Sequence, residues 1–167
     1  MHIALFQPDI AANTAAAIRL AACLDVPLVI VEPCGFVWDE RRLRRVCLDY
    51  RRHAAVERFA SWAAFEAWRR AGGARLVLLT TRADRPHPAV AYRANDVLVV
   101  GRESSGVPHL VHAAADLRVR VAMAPGRRAL NVVTALAIVL GEALRQTGGF
   151  AEAPAADPRP MPPEASS

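Results

Sequence analysis

Ten consecutive residues near the end of the chain, Val132 to Gly141 (VVTALAIVLG), carry Thr134 as their single polar side chain. They lie within a stretch, about Leu130 to Gln146, that reads as one long helix. A helix that is apolar nearly all round cannot be satisfied by one sheet face. It needs cover on a second side, from the core of a monomer or from a symmetric partner subunit, and the small Ala135, Ala137 and Gly141 would let another backbone approach closely. Val119 to Val121 reads as a short strand ahead of it, with Pro125 and Gly126 in the connecting loop. Arg127 and Arg128 sit just before the helix start, where the dipole disfavours cations by roughly 0.3–1 kcal/mol. Arginines beside free helix amides suit an anion, a phosphate or a carboxylate; two solvated arginines are the plain alternative.

The rest of the chain alternates in the same way. His2 to Phe6 reads as a buried strand, followed by a loop with Pro8 and by a helix from an Asn13 cap to about Leu24, with Ile18, Ala21 and Ala22 toward the sheet. Leu28 to Val31 is apolar throughout, the pattern of a strand buried on both faces. Further strands are expected at Ala55 to Phe59, Arg75 to Thr80 and Asp96 to Val100. Helices are expected from a Ser61 cap to Arg70, where Trp62, Phe65 and Trp68 pack, and from His109 to Ala115. Strand–helix alternation with apolar strands predicts an α/β fold built on a parallel sheet, and such sheets bind ligands at the carboxyl ends of their strands. The loops after Thr80, Val100 and Val121 should therefore converge on one pocket. Asn13 and Arg19, about 9 Å apart in helix rise, can border one cleft without touching.

Length permits one domain, residues 1–148, followed by an Ala/Pro-rich tail, 149–167, too poor in apolar residues to fold. The net charge is +5, and all 21 basic residues are arginine. This points modestly to a polyanionic partner. From Cys34 to Arg52 (CGFVWDERRLRRVCLDYRR) Arg41, Arg44 and Arg45 share a helical face, and Phe36, Trp38 and Tyr50 are interleaved. That mixture suits RNA, whose phosphates take the charge and whose unstacked bases take the rings; pairing with Asp39, Glu40 and Asp49 is the competing explanation.

Several chemistries find no support. Cys23, Cys34 and Cys47 show no CxxC spacing and read as buried or inert thiols, and no metal site is suggested. Neither dinucleotide nor phosphate-loop glycine motifs are present, and HExxH and GxSxG are missing. His109 and His112 read as surface residues, and Ser104 and Ser105 have no local histidine to activate them. No signal peptide and no membrane-length apolar run is visible, so a cytoplasmic protein is expected. What the three loops offer is exposed backbone at Gly101, Gly106, Pro125 and Gly126, with Glu103 and arginines, an environment for an adenosine-type ligand.

Three blocks in this order carry a resemblance: Pro8 to Arg19 (PDIAANTAAAIR), Val99 to Pro108 (VVGRESSGVP) and Val119 to Glu142. They resemble the N-x-G-x-x-x-R, G-x-E-x-x-G-[VLI]-P and R-x-[LM]-N blocks of the SPOUT (TrmH-like) RNA methyltransferases. Within that family EPCGFVWDERRLRRVCLDY is similar to the subgroup that methylates the wobble-position ribose of tRNA.

The resemblance implies a SPOUT fold with a C-terminal trefoil knot, S-adenosyl-L-methionine as methyl donor, tRNA as substrate and a homodimer. By position it implies cofactor contacts at Leu79, Gly101, Glu103, Val121 and Ala129, and it places Asn13, Arg19 and Asn131 nearest the reaction. Arg41, Arg44, Arg45 and Arg128 are then the RNA-binding candidates. An arginine is a poor base, so Arg19 is expected to position the 2′-hydroxyl or a neighbouring phosphate. The chain departs from the family pattern at Ala15 (glycine), Ala122 (proline), Ala129 (serine) and Gly141 (tyrosine). A different RNA ribose, or an RNA-binding module without catalysis, are the alternatives left open.

Overall fold

The computed structural model describes residues 1–39 and 55–151. Its strands are β1 (His2–Phe6), β2 (Leu28–Val31), β3 (Val56–Phe59), β4 (Leu76–Leu79), β5 (Arg85–Pro86), β6 (Val97–Val100) and β7 (Leu117–Arg120). The helices are α1 (Ala11–Cys23), α2 (Trp62–Ala71), α3 (His109–Ala114) and α4 (Val132–Thr147), with a 3₁₀ turn at His87–Ala89. The strands form one sheet in the order β3-β2-β1-β6-β4-β7-β5, parallel at every pairing.

Period-two alternation builds a core on each face of the sheet. Ile3, Leu5, Leu28, Ile30, Val77, Leu98 and Val100 point to one side, where Ile18 of α1 and Leu136, Val139 and Leu140 of α4 cover them. Ala4, Phe6, Val29, Val31, Leu76, Leu78, Val97 and Val99 point to the other, under Phe65 of α2 and Val111 of α3. The aromatics of α2 are packing residues, as expected: Phe65 is fully buried and Trp62 meets Phe6 edge-on at 5.6 Å. Ser61 caps that helix by accepting from the Ala64 amide at 3.2 Å.

The structure departs from the sequence reading in several places. The last strand begins two residues earlier than expected, because Leu117 pairs with Val77. Arg85–Pro86, expected as loop, adds an edge strand against β7, a position where proline's missing N–H is tolerated. Helix α1 starts at Ala11 with Ile10 at its cap position, so Asn13 lies inside the first turn and its side chain is released for another partner. Cys23 is exposed rather than buried. The helix expected from Asp39, including Arg41, Arg44, Arg45 and Cys47, lies outside the described residues, as does the tail beyond Ala151.

Helix α4 is covered on one side only. Leu136, Val139, Leu140, Ala143 and Leu144 are buried, whereas Ile138 is 39% exposed, and a Cβ added at Gly141 would meet nothing within 4 Å. The second cover required by its composition is not supplied by this chain's described residues. Among them no helix is long and apolar enough to cross a membrane.

At the amino ends of the strands, arginines are neutralised internally. Fully buried Asp96 accepts from Arg75 at 2.8 and 2.7 Å and from the Arg93 amide at 2.9 Å. Arg69 bridges Glu66, Asp116 and the Ala74 carbonyl, and Asp116 also accepts from the Leu76 amide at 2.7 Å. These pairs raise both guanidinium pKa values, through the hydrogen bonds to Asp96 and Glu66 first.

Candidate active site

The loops after β4, β6 and β7 do converge. They enclose a cavity of about 730 Å³ at the carboxyl ends of the strands, within the range of small-molecule sites. Its apolar walls come from Leu79, Val100, Val107, Val121, Leu130 and Val132; its polar groups include Thr80, Arg82, Arg102, Glu103, His112 and Arg120. The β6 loop folds back on itself through paired backbone bonds between Arg102 and Gly106, of 3.0 and 2.9 Å. Glycine is required at both ends of this turn: a Cβ on Gly101 would lie 2.6 Å from the Gly106 carbonyl carbon, and Gly106 has φ +70°.

One wall of the cavity is a chain of side-chain bonds between three loops distant in sequence. Asn131 caps α4, accepting from the amides of Val133 and Thr134 at 2.9 and 3.3 Å. Its amide nitrogen donates to Asn13 Oδ1 at 3.0 Å, and Asn13 in turn donates to Glu103 Oε1 at 2.9 Å. Each amide is used at both ends, so the orientation of each is set by its neighbour. Glu103 Oε2 accepts from the Asp9 amide at 3.2 Å.

Asp9 completes the latch. Its carboxylate accepts from the amides of Glu103 and Ser104 at 3.1 and 3.3 Å and from the Ser104 hydroxyl. The bonds to Glu103 and Ser104 hold the Asp9 carboxyl down to about 2, whereas partial burial first, and then the neighbouring Asp9, push Glu103 up. Sequence reasoning missed Asp9, whose importance comes from contacts more than ninety residues away. It also missed Arg102, which donates to Gln7 at 2.7 Å while its Nε is a buried donor without a partner among the described residues.

Leu79, Gly101, Glu103, Val121, Ala129, Asn13 and Asn131 all line this cavity. Arg19 and Arg128 do not. Arg19 is exposed on α1 and is not among the residues that line this cavity. Arg127 and Arg128 precede the α4 cap, Asn131, by four and three residues. His112, expected at the surface, is half-buried and lines the cavity. Burial first, then Arg118, Arg82 and His109, lower its pKa, so it stands neutral there. Of the family departures, Ala15 is buried in the core and Ala129 is an exposed residue of the cavity wall.

The chain is similar to several known proteins. A tRNA (cytidine(34)-2′-O)-methyltransferase of Beijerinckia indica is 49% identical over 150 residues, covering 90% of this chain and 94% of that protein. The protein of the same name from Escherichia coli K12 is 40% identical over 151 residues, covering 89% and 94%. A solved structure described as giving insights into the 2-OH methylation of C/U34 on tRNA has a TM-score of 0.82 at 33% identity, covering 87% of this chain and 94% of that one. The fold is shared with the SpoU methyltransferase AviRb of Streptomyces viridochromogenes in complex with AdoMet, at a TM-score of 0.75 and 24% identity over 87% of this chain and 60% of that one. The SpoU rRNA Methylase family matches residues 1–141, most of the chain and every wall of the cavity, and the protein belongs to that family.

Proposed function

We propose that this protein is an S-adenosylmethionine-dependent tRNA 2′-O-methyltransferase acting on the wobble cytidine or uridine. The observation that carries the reading is the cavity at the ends of β4, β6 and β7, with the Asn131–Asn13–Glu103 wall on one side.

The residues present fit the cofactor. Apolar walls and exposed loop backbone suit an adenosine, and the unpartnered buried Nε of Arg102 is a donor that a carboxylate would satisfy. S-adenosylmethionine, when bound, supplies an electrophilic methyl on a sulfonium sulfur. The chain's own task is to hold the ribose 2′-hydroxyl in line with it and to accept or pass on the hydroxyl proton as oxygen attacks. Positioning of this kind can supply about 7–11 kcal/mol of a barrier. Asn13, Asn131 and Glu103 form the rigid edge against which the ribose is held.

The same reading includes a trefoil knot formed by the β6–α4 region, a homodimer and a cytoplasmic site of action. The uncovered side of α4, with Ile138 and Gly141, supports the dimer, as do exposed Ile10 and Leu130 beside the cavity. A second copy is also the simplest way for Arg19 to meet the reacting ribose. Arg41, Arg44, Arg45 and Arg128 remain candidates for gripping tRNA.

The test is transfer of labelled methyl from S-adenosylmethionine to unmodified bulk tRNA, with the product nucleotide located by mass spectrometry. A 2′-O-methyl pyrimidine at position 34 is expected. Modification elsewhere would move the substrate to another RNA ribose, and no transfer by protein that binds the cofactor would favour a binding module.

Asp9 gives a second prediction. Asp9→Ala removes the acceptor of the Glu103 and Ser104 amides and of the Ser104 hydroxyl. Net loss of about 1–2 kcal/mol of hydrogen bonding should weaken cofactor affinity about tenfold, read by titration calorimetry. Unchanged affinity would mean that the β6 loop holds its shape without the latch.

A further inference from the structure

Charge is segregated along the strands. At the amino ends Arg69, Arg70 and Arg75 are all paired with carboxylates. At the carboxyl ends Arg58 pairs with Glu32 and Arg102 donates to Gln7, whereas among the described residues Arg82, Arg120, Arg127 and Arg128 have no ion pair and no side-chain hydrogen bond. Two of these four line a second, smaller cavity. It measures about 240 Å³ and is enclosed by Arg120 at the end of β7, Thr81 after β4, Met123, and the turn Pro125–Gly126–Arg127. Thr81, Arg120, Val121 and Met123 also line the larger cavity, so the two share a wall.

Two arginines that line one small recess repel each other less when an anion lies between them, and arginine forks match the oxygens of a phosphodiester. Thr81 adds a hydroxyl donor, and none of its hydrogen-bonding capacity is taken by a described residue. A recess of this volume has room for a phosphate group. The left-handed Gly126 (φ +79°) forms the turn that brings Arg127 into the lining of the recess with Arg120.

We propose that Thr81, Arg120 and Arg127 form a subsite for a backbone phosphate of the RNA substrate, next to the nucleotide whose ribose occupies the larger cavity. This rests on the proposed RNA methylation, and it assigns to the loop after β7 a role in substrate binding separate from holding the cofactor. The other oxyanion available is the carboxylate of S-adenosylmethionine, which the experiment distinguishes.

The test uses the full chain, wild type against the double variant Arg120→Gln/Arg127→Gln, with Arg127→Gln and Thr81→Val as single variants. Binding of unmodified tRNA is measured across a salt series, and binding of S-adenosylmethionine is measured separately. In the double variant the tRNA Kd should rise about tenfold and the slope of log K against log salt should fall by about one. In Arg127→Gln, whose residue does not line the larger cavity, S-adenosylmethionine affinity should stay within a factor of two or so of wild type, a change of less than about 0.5 kcal/mol. Lost cofactor affinity with an unchanged tRNA salt slope would assign the recess to the carboxylate and overturn the proposal. An unchanged tRNA Kd and slope would overturn it too. If the double variant does not fold, Arg127→Gln alone, on an exposed turn, must still lower the slope. A wild-type protein that transfers no methyl but whose tRNA salt slope falls in the variant would refute the reaction and keep the site.

Discussion

Replacing Asp96 by alanine should lower stability by about 3–5 kcal/mol, because it leaves the Arg75 guanidinium without its charge partner in the interior. Asp96 is 0% exposed and takes two bonds from Arg75 and one from the Arg93 amide. Arg75 also donates to the Ala91 carbonyl at 2.8 Å, so this one pair ties the start of β4 to the start of β6 and to the segment before it. For a domain of this size, the loss corresponds to a fall in melting temperature on the order of 10 °C. Thermal denaturation of the two proteins at one concentration reads it directly. Asp96→Asn retains volume and an acceptor and should recover part of the loss; a melting curve for Asp96→Ala within about 2 °C of wild type would show that the buried pair contributes nothing net.

The largest effect on activity is expected at Asn13. Asn13→Ala breaks the only described side-chain connection between the α4 cap and Glu103, leaving Asn131 with its capping bonds and Glu103 with the Asp9 amide. The fold should survive, since the Asn13 side chain makes no bond within α1. Loss of alignment at a reacting centre by about 1 Å costs on the order of 10²-fold in rate, and methyl transfer to tRNA should fall by about that factor. Asn131→Ala should reduce transfer similarly and in addition cost about 1 kcal/mol through the lost helix cap. If the two amides act as one unit, the double variant will transfer methyl no more slowly than the worse single variant. Multiplying losses would show that each side chain touches the substrate independently.

Both predictions depend on contacts of very different legibility. Asp96 stands immediately before an apolar run, and nothing local distinguishes it from a loop aspartate; Arg75, its partner, is 21 positions away. Asn13 looked like a helix cap, since asparagine before an apolar helix is most often one. The helix begins three residues earlier, because Ile10 holds the extended cap geometry without a side-chain bond. Asn131, by contrast, sits at a helix start that the apolar run already marked, and it does cap. The cavity-lining residues carried by the resemblance, from Leu79 to Ala129, are largely backbone positions at strand ends, which apolar runs locate well. Helical rise sets Arg19 about 9 Å from Asn13 along α1, whereas the face of α1 on which it lies, exposed, follows from how that helix packs.

The elements themselves were written locally. Apolar tetrapeptides such as Leu28–Val31 and Val97–Val100, bounded by loop residues, read as strands buried on both faces, and the alternation of their side chains calls for a helical layer on each side whatever the strand order. The order is another matter. Placing β6 between β1 and β4, so that the loops at residues 7–10, 101–106 and 121–131 meet, is decided by long-range pairing and packing that no window of sequence contains. Hydrophobic periodicity is a property of neighbours along the chain. The Asp9 latch, the Asn131–Asn13–Glu103 wall and the recess between Arg120 and Arg127 exist only once distant segments are brought within hydrogen-bonding reach.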